Sequence, residues 1–104
     1  MANKPYTLKE LNQLMKAMEI GRYIGKLVHI CQAGKVYTIE EKPFEDFEIK
    51  ILDIYDRPIK IWADIILDRD RLLADNFWGK IIIEVCDGQP IGLKTARTYK
   101  PDGE

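Results

Sequence analysis

Apolar residues recur at three- and four-residue steps from Leu8 through Leu11, Leu14 and Met15 to Met18, beside Lys9, Asn12, Gln13 and Lys16. That period puts one stripe on one face and predicts an amphipathic helix over residues 7–20. Thr7 with Glu10 has the form of a capping box, and Gly21 stands where such a helix stops. Residues 23–32 are largely apolar and β-compatible, and after the Ala33-Gly34-Lys35 turn a second β-prone run leads from Val36 to Ile39. They predict one long, bent strand or a hairpin. Phe47 to Ile51 and Ile59 to Ala63 alternate strictly around the turn chemistry of Asp53 to Pro58, which predicts two antiparallel strands. The charged stretch Asp68 to Asp75 suits a short helix over a sheet end. Lys80 to Cys86 and Pro90 to Tyr99 flank Asp87-Gly88, a dipeptide that favours tight hairpins.

The chain's 104 residues match one domain, 1–104, with a loose tail at 100–104. Its apolar fraction of 46% and charged fraction of 32% are those of a packed globular domain rather than a disordered or disulfide-dense chain. Runs such as Ile65 to Leu67 and Ile81 to Ile83 are far shorter than a membrane span, and the first residues carry no apolar leader core. A cytoplasmic protein with no membrane partner is the expectation. Cys31 and Cys86, set in apolar segments, read as two buried thiols in a reducing compartment, with a disulfide as the leading alternative. A zinc site is poorer, because His29 alone could join the thiols and no CxxC occurs.

Five strands with a helical segment between the third and fourth form the element order of the OB fold. The expected fold is therefore all-β with short helices: a five-stranded Greek-key barrel over about 22–99, preceded by the helix at about 7–20. The stretch from Ile49 to Ala63, with its acid-bearing turn and Ile61-Trp62 pair, resembles the second-to-third-strand hairpin of replication protein A-like single-stranded DNA-binding domains. Residues 68–79 resemble that family's short helix and following glycine. The sequence departs from the pattern in having Arg57-Pro58 in the turn, and Cys86 to Pro90 where further aromatic residues are common. The resemblance implies a protein that coats exposed single strands.

Base stacking on an aromatic ring contributes roughly 1–3 kcal/mol, and neighbouring cations neutralise phosphates. With Ile59, Ile61 and Ala63 inward, strand parity turns Lys60 and Trp62 outward together, and Lys50 of the preceding strand lies beside them. Tyr55 and Arg57 extend the patch from the turn, Lys94 projects from the fifth strand, and Tyr37 closes over from the first loop. The expected nucleic-acid site is thus Trp62, Lys60, Lys50, Arg57, Tyr55, Lys94 and Tyr37. Trp78 with Phe77 reads as a barrel plug, and Arg97 and Tyr99 as continuations of the inward face.

Charge qualifies this picture, since 16 bases against 17 acids leave a net charge of −1 and no global field for a polyanion. Glu40, Glu41, Glu45, Asp46 and Glu48 form an acidic loop that could attract a basic partner, and the Leu8 to Met18 helix could dock another protein. An OB-fold interaction subunit of a replication, repair or phage assembly is the alternative to direct binding of single-stranded DNA or RNA. Catalysis is not expected. Asp53, Asp56, Asp64, Asp68 and Asp70 match no calcium-loop or catalytic spacing, and His29 has no nucleophile partner. No metal or cofactor is expected.

Overall fold

The computed structural model describes residues 4–98. Its elements are α1 (Leu8–Ile20), β1 (Gly25–Gln32), β2 (Lys35–Pro43), α2 (Asp46–Ile51), a 3₁₀ turn (Ile54–Asp56), α3 (Trp62–Ala74), β3 (Gly79–Cys86) and β4 (Gln89–Arg97). The strands form one antiparallel sheet in the order β2-β1-β3-β4. Two hairpins are thus joined edge to edge by pairing β1 with β3, and the chain between them crosses over through α2 and α3.

Local signals were realised where they were chemically specific. The Glu10 carboxylate accepts from the Thr7 amide at 2.8 Å, while the Thr7 hydroxyl accepts from the Glu10 amide at 3.1 Å. Both hairpins turn through two residues with positive φ, Ala33 (51°) with Gly34 (77°) and Asp87 (52°) with Gly88 (80°). This is the geometry whose twist matches antiparallel strands. Gly88 has a second reason to lack a side chain, because a Cβ there would stand 2.6 Å from the Glu19 carbonyl oxygen of α1.

The five-stranded barrel is replaced by a four-stranded open sheet with three helices, a mixed α/β architecture. The two alternating segments account for the difference. Residues 47–51 form α2 instead of a strand: a five-residue alternation also fits a turn and a half of helix. Its start is fixed by the Glu48 carboxylate accepting from the Glu45 amide at 3.1 Å. Residues 59–63 also form no strand. Only the start of that segment is extended, with the Lys60 amide donating to the Pro90 carbonyl of β4 at 2.7 Å before α3 begins at Trp62. The short helix expected at 68–75 is the second half of this longer one.

One face of the sheet holds the principal core. Leu27 and Cys31 of β1, Val36 of β2 and Ile81, Ile83 and Val85 of β3 pack against Leu11 and Met15 of α1, Ile65 of α3, and Phe77. The α1 stripe proposed for a partner is therefore largely spent on its own sheet, with Leu8 and Ile20 exposed at its ends. On the opposite face a smaller cluster joins Phe44, Ile54, Cys86 and Ile91, with Ile24 and Ile49 packed against it. Cys31 lies opposite Gly79, at the far end of β3 from Cys86. Seven residues at roughly 3.3 Å each separate them by about 23 Å, beyond any disulfide. Both thiols are buried and free, and burial pushes that of Cys31 up to about 11.

Candidate interaction surface

The crossover between β2 and α3 carries most of the expected site. After β2 the chain passes Phe44, buried at 7% exposure, and enters α2, whose Ile49 turns towards the smaller cluster. Phe47 and Ile51, one turn apart on the other side of this helix, are 58% and 73% exposed. Asp53 then takes a left-handed conformation (φ 49°), ending the helix and dropping Ile54 into the cluster while Tyr55 faces out. Ile59 and Ile61 follow, both exposed. Six of the ten large apolar side chains exposed among the described residues fall in this one stretch, residues 47–61. Singly exposed apolar residues are ordinary, whereas large contiguous apolar patches are found at contact surfaces.

Arg57 fixes the stretch to the sheet. Its Nη2 donates to Glu84 Oε1 at 2.8 Å and to the Ile91 carbonyl at 3.2 Å. Glu84 has a side chain only 3% exposed, and its other oxygen meets Lys94 Nζ at 3.5 Å. Gly92 provides the room: a Cβ there would lie 2.7 Å from Arg57 Nη2 and 2.9 Å from Glu84 Oε1. A second strap ties α2 to β1, through Lys26 Nζ and Glu48 Oε2 at 3.3 Å. The amide of Glu45, reinforced by Lys26, holds the Glu48 carboxyl below the usual range.

The residues expected to bind nucleic acid are dispersed by this architecture. Trp62 is half-buried in the first turn of α3, packed against the principal core, and its Nε1 donates to the Gly88 carbonyl at 3.1 Å. Strand parity therefore does not apply to it. Lys50 is exposed on α2, and Lys60 is exposed beside the start of β4. Arg57 and Lys94 are brought together, but by a shared carboxylate, so neither is a free cation. Tyr55 is 66% exposed. Tyr37 is half-buried on β2, at the opposite edge of the sheet from β4. Tyr99 and the tail 100–104 lie outside the described residues. The expected acidic loop is not a loop either, since Glu40 and Glu41 extend β2 and Glu45 to Glu48 start α2.

Sequence reasoning missed Glu84, although a lone acid inside the apolar run from Ile81 to Cys86 was its signal. It also missed Arg69, which is fully buried on α3. Arg69 donates to Asp70 Oδ1 at 2.8 Å and to Asn12 Oδ1 of α1 at 2.7 Å, bracing the two helices against each other. His29 is fully buried on β1. Burial, with the Arg69 charge as a lesser contribution, pushes its pKa down to about 4, so it is neutral at pH 7.

A groove runs along the outside of β4 beneath α3. Its two sections, about 760 and 540 Å³, share Asp68 and Leu93. Among the described residues no group of three or more His, Cys, Asp or Glu side chains could hold a metal ion. No described helix is long and apolar enough to cross a membrane. Comparisons with protein-family models, curated proteins and solved structures returned no match.

Proposed function

We propose that this chain acts by binding another protein, without catalysis, through the apolar stretch at residues 47–61. The observation that carries the reading is the concentration of exposed Phe47, Ile51, Leu52, Tyr55, Ile59 and Ile61 on one tethered segment. A chain gains nothing in its own fold by leaving these side chains in water. Burying a side chain of this size contributes about 1.5–3 kcal/mol, so a few of them anchor an interface. The two ion-paired straps hold the stretch against the sheet, which lowers the entropy lost when a partner docks.

Affinity capture followed by reconstitution with the purified partner tests this reading. The wild-type chain should retain the partner, and Phe47→Asp with Ile51→Asp should lose it at unchanged melting temperature. Equal retention by both chains contradicts the reading. Light scattering belongs to the same experiment: self-association abolished by the two substitutions would make the partner a second copy. Single-stranded nucleic acid is the second reading, supported by the exposure of Tyr55, Lys50 and Lys60 along the same stretch. A salt-dependent titration with oligo(dT), monitored with wild type and Tyr55→Ala, decides for or against it.

A further inference from the structure

Gly88 is fixed on three sides. Its amide donates to the Tyr23 carbonyl at 2.9 Å, its carbonyl accepts from Trp62 Nε1 at 3.1 Å, and a Cβ on it would stand 2.6 Å from the Glu19 carbonyl oxygen. The turn between β3 and β4 is therefore the point at which this hairpin meets both α1 and α3. Asp87 before it is exposed, with φ 52°. Its carboxylate is gripped by Arg22, just beyond α1, whose Nε donates to Oδ1 at 2.7 Å and Nη2 to Oδ2 at 2.8 Å. Two parallel charge-assisted bonds of this kind fix a carboxylate's orientation as well as its charge.

An Asp-Gly pair is chemically open to attack on itself. The glycine nitrogen forms a bond to the aspartate Cγ, unhindered because glycine carries no Cβ. The nitrogen gives up its proton and Cγ its hydroxyl, and the two leave together as water. The succinimide so formed takes water back. When that water adds at the main-chain carbonyl, the old peptide bond breaks and the chain runs on through Cγ, an isoaspartyl link of unchanged mass with one more main-chain atom. Each requirement of this reaction is opposed at Asp87. The Gly88 amide proton is engaged by the Tyr23 carbonyl. The leaving hydroxyl exists only on a protonated carboxyl, and the hydrogen bonds from Arg22, backed by its charge, hold this carboxyl below the usual carboxylate range. The same two bonds anchor the carboxylate to Arg22, whereas attack needs Cγ free to swing onto the Gly88 nitrogen.

We propose that Asp87 is a site of isoaspartate formation that the fold keeps closed, with Arg22 and the Tyr23 carbonyl as its locks. An added main-chain atom in a two-residue turn would displace Gly88 from its three contacts, so isomerisation would detach the hairpin tip from α1 and α3. This chemistry is independent of whatever residues 47–61 bind. The test incubates the purified full chain for weeks in mildly acidic buffer, folded and in urea. Isoaspartate is read site by site from proteolytic peptides, since Asp102-Gly103 is a second such dipeptide. At Asp87 it should form at least tenfold more slowly in the folded wild type than in urea. Folded Arg22→Met should form it at least threefold faster than folded wild type, and Arg22→Lys, which keeps a charge and a donor, should fall between them. The Arg22 side chain is 74% exposed, so both variants should keep their melting temperature. Thr7→Ala, which removes the α1 cap and lowers stability away from the turn, should match wild type. Equal rates for the wild type folded and in urea would overturn the proposal. So would equal rates in folded wild type and Arg22→Met, or an acceleration by Thr7→Ala as large as that by Arg22→Met.

Discussion

Arg57 and Glu84 make the sharpest test of how the exposed stretch is held. Replacing Arg57 by Met removes both of its hydrogen bonds and leaves a carboxylate with a side chain 3% exposed facing only Lys94 Nζ, at 3.5 Å. Breaking one partner out of a buried ion pair costs about 3–5 kcal/mol. Because the Arg57 side chain is 26% exposed and Lys94 remains, the lower end applies, about 3 kcal/mol. For a chain of this size that lowers the melting temperature by roughly 12 °C or more. Lys94→Met should cost only about 0–1 kcal/mol, since that side chain is 61% exposed and the charge is largely screened. Replacing Arg57 and Glu84 together by Met removes both charges, and should cost less than Arg57→Met alone. Urea denaturation followed by tryptophan fluorescence measures all three. Additive losses in the double variant, or a Lys94→Met loss equal to that of Arg57→Met, would show that Arg57 and Glu84 are not coupled as a buried pair.

Three further outcomes follow from the same structure. His29 has a folded pKa of about 4 against an ordinary value near 6.5, so below pH 6.5 the unfolded chain takes up a proton that the folded chain does not. Its contribution is complete above pH 6.5 and declines to pH 4 by on the order of 3 kcal/mol, and urea titrations of wild type and His29→Leu should diverge across that window alone. Gly92→Ala should destabilise by about 1–3 kcal/mol through the clash with Arg57 Nη2 and Glu84 Oε1, and by less in the Arg57→Met background, measured by thermal denaturation. Trp62→Phe should lose the hydrogen bond to Gly88 and cost about 1 kcal/mol on the same scale.

The parts of the fold legible in the sequence are those where a residue's own chemistry dictates the local geometry. Thr7 with Glu10, Ala33-Gly34 and Asp87-Gly88 each fix a cap or a turn within a few residues, and the helix and two hairpins follow from them. The crossover was illegible for a different reason. α3 is specified by contacts distant in sequence and its periodicity is interrupted by charge, while α2 is capped locally by Glu45 and Glu48 but is so short that its alternation fits a strand equally. The buried stripe of α3 runs through Trp62, Ile65, Arg69 and Leu72, so a guanidinium stands where the pattern needs an apolar side chain. Asn12 of α1 and Asp70 accept hydrogen bonds from Arg69 Nη2, which offsets part of the cost of burying the guanidinium there. Without that knowledge the helix reads as beginning at Asp68, and the alternation of Ile59, Ile61 and Ala63 reads as a strand. Parity then turned Trp62 outward, whereas the helix lays its ring against the core. Tyr55 was rightly placed on the surface, since its exposure depends on the turn at Asp53 and not on strand register.

The claim that residues 47–61 form the partner surface is tested most directly by site-specific photo-crosslinking in cells of the source organism. A photoreactive phenylalanine analogue is placed at Phe47, with the same analogue at exposed Leu8 of α1 as the reference. A discrete protein adduct is expected from position 47, absent from position 8 and lost when Ile51→Asp is added. Adducts of equal yield from both positions, or adducts to nucleic acid alone from position 47, would contradict it.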